Sequence, residues 1–268
     1  GMIGHGAAFD GGDNDPVALV DKDGVVFTNP AIYESPAIED LPRLRSLLDD
    51  QDRTDGRIDE RWSGRDISDP LYRFSTPAAA HYYGHLLRRM IEDEGFGRDA
   101  ISDLLYVNFK TSDEAGHRWG MTSEEVGLAL RAQDDELRKL IRFLDRAVGR
   151  NRWVIALTAD HGQTPFPRES GGWAIAGAEV MRDANARFDH NDNGIALVDE
   201  VVSAGAFVIP AELDANDVTL DAIARWMSGY TVADNAPGVV PGWYRGAPGD
   251  PVFDALLVGR RVAAKSCD

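Results

Sequence analysis

In the stretch 104–162, LLYVNFKTSDEAGHRWGMTSEEVGLALRAQDDELRKLIRFLDRAVGRNRWVIALTADHG, two apolar runs enclose one long helical segment. Leu104, Leu105, Tyr106, Val107 and Phe109 are enough apolar residues for a buried strand that runs into Asp113, and Trp153, Val154, Ile155, Ala156 and Leu157 predict a second that runs into Asp160. Between them Thr122 and Glu125 have the spacing of a capping box, after which Val126, Leu130, Leu137, Leu140, Ile141, Leu144 and Val148 mark one face of a helix ending at Gly149. Strand, helix and strand in that order make a βαβ unit. Its two strands run parallel, so the residues after them emerge at one edge of the sheet, where open α/β sheets take their ligands. The expected fold is therefore α/β, a mainly parallel sheet flanked by helices.

Each strand is followed by an acid and a histidine: Asp113 with His117, and Asp160 with His161. Carboxylate oxygen and imidazole nitrogen together suit zinc, and two ions a few ångströms apart stabilise both the attacking and the leaving oxygen of a phosphoryl displacement. Either doublet alone reads as a turn leaving a strand. Both at one sheet edge point to hydrolysis of a phosphate ester.

From about Thr76 to Gly162 the chain resembles the alkaline phosphatase superfamily, and within it the type I phosphodiesterase/nucleotide pyrophosphatase branch. The resemblance lies in DEAGH (113–117) as the family's DxxGH, in TADHG (158–162), and in the long helix between them carrying Asp134. It implies a metal-dependent hydrolase of phosphate mono- or diesters with two zinc ions, one held by Asp113 and His117 and the second held in part by Asp160 and His161. Asp134 matches a family helix aspartate and is read as structural. The small phosphate ester would be attacked by a threonine or serine.

That nucleophile and the family's first metal-binding aspartate have no counterpart in this sequence. The opening GMIGHGAAFDGGDNDPV contains no apolar strand ending in Asp before a Thr or Ser at a helix start, and neither Asp10 nor Thr28 is a substitute. Residues 1–268 are accordingly expected to form a single α/β domain lacking its N-terminal part, inactive alone and holding zinc weakly. Residues 17–28 read as a hairpin, with Val17 to Val20 and Val25 to Thr28 joined by a turn at Asp23 and Gly24. The family's late zinc histidine has one weak candidate, His190 in RFDHNDNG. His81 and His85 lie four apart on a helix that Thr76 caps and Pro77 starts, and are expected to be packing or surface residues. Lys110 stands where it could touch a substrate phosphate.

DHNDNGIALVDE (189–200) offers a rival from another class, because it fits the calcium-loop pattern with Gly194 at the turn and Glu200 last. The alternative is thus a non-catalytic metal- or calcium-binding protein that retains the fold. Yet Ile195, Leu197 and Val198, then Val201, Val202, Phe207, Val208 and Ile209, read as strand. LDAIARWMSGYT (220–231) reads as a short helix, and the Gly- and Pro-rich stretch 235–251 as a surface loop.

The formal net charge of −17, from 28 basic and 45 acidic residues, argues against nonspecific nucleic-acid binding, which needs clustered Lys and Arg to neutralise phosphates. One cysteine, Cys267, rules out an internal disulfide framework. The sequence has no apolar run long enough for a membrane span.

Overall fold

A computed structural model describes residues 16–259 except 22, 32, 37, 203, 204 and 237. Asp10 and Cys267 lie outside the described residues. The chain divides into two compact units, one running to Pro165 and the other beginning at Phe166.

In the first unit the expected hairpin forms from β1 (Leu19–Val20) and β2 (Val26–Phe27), with Leu19 opposite Phe27. Its turn is set by Asp21, whose carboxylate accepts the backbone N–H of Asp23 and of Val25. Then come α1 (Leu44–Asp52), a small hairpin of β3 (Arg61–Trp62) and β4 (Arg65–Asp66), and α2 (Pro70–Arg73). Two longer helices, α3 (Pro77–Asp93) and α5 (Glu124–Leu144), bracket the short α4 (Thr111–Trp119). Thr76 and Pro77 do open α3, although the Thr76 hydroxyl donates to the Arg73 carbonyl instead of capping the helix.

The α3 helix is the centre of this unit. One side buries Ala79, Tyr82, Tyr83, Leu86 and Met90 against Leu44 and Leu48 of α1 and against Ala18 and Val20 of the hairpin. Its other side carries Leu87 and Ile91, which pack with Leu144 at the end of α5. The entry to α5 differs from the capping-box reading. Ser123, not Thr122, is the N-cap, its hydroxyl accepting Val126 N–H, while the Glu125 carboxylate is held by Arg65 Nε at 2.8 Å. The buried stripe of α5 is also rotated from the all-aliphatic one. It runs through Val126, Ala129, Ala132, Glu136 and Leu144, with Leu130 and Ile141 exposed, because small side chains allow a close approach to α3 at Gly84. As expected, the helical segment stops at Gly149, whose φ of 110° suits glycine.

The two runs read as parallel strands keep the strand alternation but have no ladder among the described residues. Leu105, Val107, Phe109, Trp153 and Ile155 turn inward onto α3 and α5, whereas Leu104 is 92% exposed and Val154 93%. Strand pairing needs a neighbouring backbone, and where one face lies on helices with no adjoining strand the pattern survives without the hydrogen bonds. One carbonyl finds another donor: Gln133 of α5 donates its side-chain amide to Phe109 O at 3.1 Å. The only sheets among the described residues are antiparallel two-stranded pairs.

The second unit contains α6 (Pro167–Ser170), α7 (Gly177–Phe188), β5 (Val198–Val202), β6 (Gly205–Val208), α8 (Pro210–Ala215), α9 (Leu220–Met227) and α10 (Val232–Asn235). β5 and β6 pair antiparallel where strand was expected, and α9 is the expected short helix. Val180, Ala184, Leu197, Val198, Ile223, Met227 and Tyr230 form the core. Two side-chain amides join its parts, of which Asn235 is fully buried. Asn185 pairs through both amide atoms with the backbone of Val198, and Asn235 accepts Trp173 Nε1–H and Ala176 N–H while donating to Ala176 O.

Where α3 crosses α5, Gly84 meets Glu136. The Glu136 side chain is fully buried, and its carboxylate accepts from His81 Nδ1 (2.8 Å), Lys139 Nζ (2.6 Å) and Arg88 (2.6 Å). Burial alone would raise the pKa, but bonds from His81, Lys139 and Arg88 outweigh it and hold the acid at about 2, below its ordinary 4.5. A Cβ on Gly84 would overlap this carboxylate. With three donors fixing Glu136, it cannot move aside, so Gly84→Ala is expected to cost about 2 kcal/mol in urea unfolding despite a gain in helix propensity. The depressed pKa also fixes a pH dependence. Ionised Glu136 stabilises the native state fully above its unfolded pKa near 4.5, and that contribution, on the order of 3 kcal/mol, is lost as pH falls towards about 2. Wild type and Glu136→Gln should therefore differ most in stability at neutral pH and converge across that acid interval.

Candidate functional site

Helix α4 begins directly after the inward-facing Phe109, and its i, i+4 spacing puts Asp113 and His117 on one face. Asp113 lies in the first turn, where the helix dipole favours an anion, and His117 in the last. Ala115 buries against Val126 and Ala129 of α5. Beyond it, Arg65 lies over the Trp119 ring at 5.2 Å and Arg118 over Tyr72 at 5.0 Å, so two cation–π contacts hold the far end of α4.

The second doublet comes close to the first. His117 Nε2 is 3.4 Å from Asp113 Oδ1, and His161 Nε2 is 3.9 Å from the same oxygen and 3.6 Å from Asp160 Oδ2. Of the four residues singled out in the sequence, both histidines thus lie near Asp113, and Asp160 lies near His161. Asp160, His117 and His161 are well exposed, while the Asp113 side chain is only 16% exposed. His161 is oriented locally: its backbone N–H donates to Asp160 Oδ1, and its Nδ1 lies 3.0 Å from Gly162 O, leaving Nε2 directed to Asp113.

Asp113 is tightly held. Lys110 Nζ lies 2.6 Å from its Oδ2, and Gln163 donates one side-chain nitrogen both to its Oδ1 (2.9 Å) and to its backbone carbonyl (3.0 Å). Burial pushes the Asp113 pKa up, but the Lys110 ammonium, His117 and Gln163 together bring it below the ordinary carboxylate value, so it stays ionised at neutral pH. Lys110 is therefore occupied with Asp113. Gln163 was not singled out in the sequence. Its position just past ADHG is the one available hint; its reach back across 50 residues to Asp113 is a tertiary contact.

As a donor set, two carboxylates and two imidazoles suit zinc. Ligands about 2.0–2.1 Å from one tetrahedral ion stand roughly 3.3 Å apart, close to the 3.4 Å between His117 and Asp113. Among the described residues, no group of three or more His, Cys, Asp or Glu is placed to hold a metal ion. By donor chemistry the residues suit a metal, and Lys110 supplies the positive charge on Asp113.

The other candidates lie elsewhere. His81 is bound to Glu136 and His85 is exposed, as expected of packing and surface residues. Asp134 forms a surface pair with Arg138 at 2.6 Å. His190 belongs to the second unit, where its backbone N–H donates to Asn216. In the calcium-like loop a helix precedes but a strand follows, and Glu200 sits exposed in β5 opposite Phe207. Asn191 and Asn193 donate to buried Glu212, and the Oδ1 of each accepts a backbone N–H. Those amide oxygens close Asx turns of the loop itself.

Comparison with known proteins points the same way as the motifs. The type I phosphodiesterase / nucleotide pyrophosphatase family matches residues 19–224. An alkaline phosphatase, PhoV, of Synechococcus elongatus is 29% identical over 93 residues, 35% of this chain and 17% of that protein. The alkaline phosphatase PafA of Elizabethkingia meningoseptica is 36% identical over 72 residues, 27% of this chain and 13% of its own length. A calcium-transporting ATPase of Myroides odoratus is 24% identical over 156 residues, 56% of this chain and 28% of that protein. The chain thus spans under a third of these relatives. No solved structure matches it significantly.

Gly116 lies under the Gln163 amide, and a Cβ there would overlap it. Since that amide ends a flexible side chain, Gly116→Ala should displace Gln163 from Asp113 without unfolding α4. A lost hydrogen bond of about 1 kcal/mol is offset by a similar gain in helix propensity. The thermal midpoint should move little, while the Gln163 side-chain amide protons, observed by NMR, should lose their protection from exchange.

Proposed function

Since the chain belongs to the type I phosphodiesterase/nucleotide pyrophosphatase family, we propose that it is the metal-binding part of a zinc-dependent hydrolase of phosphate mono- or diesters. The observation that carries this reading is the approach of His117 Nε2 and His161 Nε2 to one oxygen of Asp113. Asp113 and His117 are assigned to one zinc, and Asp160 and His161 to the second. When bound, such ions polarise a phosphoryl oxygen and neutralise charge on the oxygens that attack and leave.

The chain's own residues have three tasks in this reading. Asp113 and Asp160 present anionic oxygens. His117 and His161 present ring nitrogens, with the His161 ring oriented by Gly162. Gln163 fixes the Asp113 carboxylate, and Lys110 neutralises it until a metal does. The attacking hydroxyl is assigned to residues outside this sequence, within one α/β domain that residues 1–268 only partly supply, and the chain by itself is expected to have no turnover. The substrate is a small phosphate ester.

Zinc titration against a chromophoric chelator tests this reading. The isolated chain should bind weakly, since each ion has about two of the three or more protein ligands usual for catalytic zinc. Asp113→Asn should abolish binding of the first ion and His161→Ala that of the second, and Gln163→Ala should weaken the first by about tenfold, as loss of a ligand's hydrogen-bond partner does. Zinc binding that all three substitutions leave unchanged would overturn the assignment. A chain that hydrolyses aryl phosphate unaided would overturn the placing of the nucleophile outside it.

A further inference from the structure

Away from the Asp113 cluster, the α3–α5 surface gathers positive charge. Arg88 of α3, Lys139 and Arg142 of α5, and Arg146 in the turn after α5 line a single open concavity of about 330 Å³, and no acidic side chain contributes to its lining. Lys139, Arg142 and Arg146 recur at the three- and four-residue intervals that place side chains on one helical face. Lys139 lies ten residues beyond Ala129, the α5 residue that packs on α4, or roughly 15 Å along the helix.

Acids that could neutralise this surface are committed elsewhere. Glu136 lies beneath it, fully buried, with its two oxygens shared among His81, Arg88 and Lys139. Asp134 and Asp135 pair with Arg138, and Glu92 and Asp93 pair with Arg89. Asp145, between Arg142 and Arg146 in sequence, accepts from Trp153 and faces Arg150. Arg142 and Arg146 have no hydrogen-bond or ion-pair partner among the described residues. Four cations around one buried carboxylate leave a net positive surface on a chain of net charge −17. A field of that sign, focused in a concavity, attracts a compact anion of several charges, and guanidinium forks match phosphate oxygens in pairs. The volume is at the small end of ligand sites, which suits a short phosphate chain more than a whole nucleotide.

We propose that the concavity formed by Arg88, Lys139, Arg142 and Arg146 is a binding site for a di- or triphosphate group, separate from the Asp113 cluster. It does not depend on the hydrolase reading. The two free arginines grip the anion, while Glu136 holds Arg88 and Lys139 in place from below.

The test is calorimetric titration of the chain, in chelator to exclude metal, with pyrophosphate, tripolyphosphate, ATP, orthophosphate and sulfate. Saturable binding is expected for pyrophosphate and tripolyphosphate, with weaker binding of orthophosphate and sulfate. ATP matching tripolyphosphate identifies the phosphate chain as the whole determinant; ATP binding without binding of tripolyphosphate or pyrophosphate would overturn the proposal. Arg142→Glu with Arg146→Glu should weaken pyrophosphate by about tenfold or more, as loss of two charge-assisted contacts does, and Arg142→Gln with Arg146→Gln should weaken it less. Both pairs alter exposed side chains, and unchanged circular dichroism confirms folding. Asp113→Asn should leave binding intact. Binding lost in Asp113→Asn but kept in the arginine variants, equal binding of sulfate and pyrophosphate, or no saturation at millimolar ligand would each overturn the proposal.

Discussion

The contact between Gly84 and Glu136 sets the geometry of the first unit. With a side chain on Gly84 the helices could not approach closely enough for Glu136 to be buried under His81, Arg88 and Lys139. A buried carboxylate without those donors would cost several kcal/mol, so the packing and the ion cluster require each other. The small residues Ala129 and Ala132 on the buried stripe of α5 belong to the same close approach.

This crossing carries the candidate site with it. The α5 helix receives the chain from α4, which holds Asp113 and His117, and passes it on to the run ending at Asp160 and His161. Fixing α5 on α3 therefore limits how far apart the two doublets can be. Gln163 adds the closure, since its amide lies against Gly116 and reaches both the backbone and the carboxylate of Asp113. Two glycines thus have the same physical role at different scales: Gly84 admits a carboxylate between helices, and Gly116 admits an amide beside the candidate ligand.

Charge is distributed unevenly over the acidic chain. Cations are used singly to neutralise important carboxylates, as Lys110 does for Asp113 and Arg65 for Glu125, and as a group over the α3–α5 crossing. A net charge conceals both arrangements, because it sums over positions that Debye screening keeps electrically separate in solution.

The sequence by itself determined the helices α3, α5 and α9, the stop at Gly149, the 17–28 hairpin, the strand character after Ile195, and the motif order that marks the family. These features are local: caps, turns and periodicity act within a few residues, and motif spacing is a property of the chain. The sequence also predicted that Asp113, His117, Asp160 and His161 belong together, through a connection rule and not through any contact. Tertiary structure alone decided which face of α5 is buried and that Gln163 reaches Asp113, whereas the Ser123 cap and the Lys110–Asp113 pair are local contacts three residues apart. It also decided that the runs 104–109 and 153–157 keep their alternation without a ladder among the described residues. A helix satisfies its own backbone, whereas a strand, a buried ion cluster or a ligand's supporting amide needs a partner brought from far along the chain, and no local pattern encodes that partner.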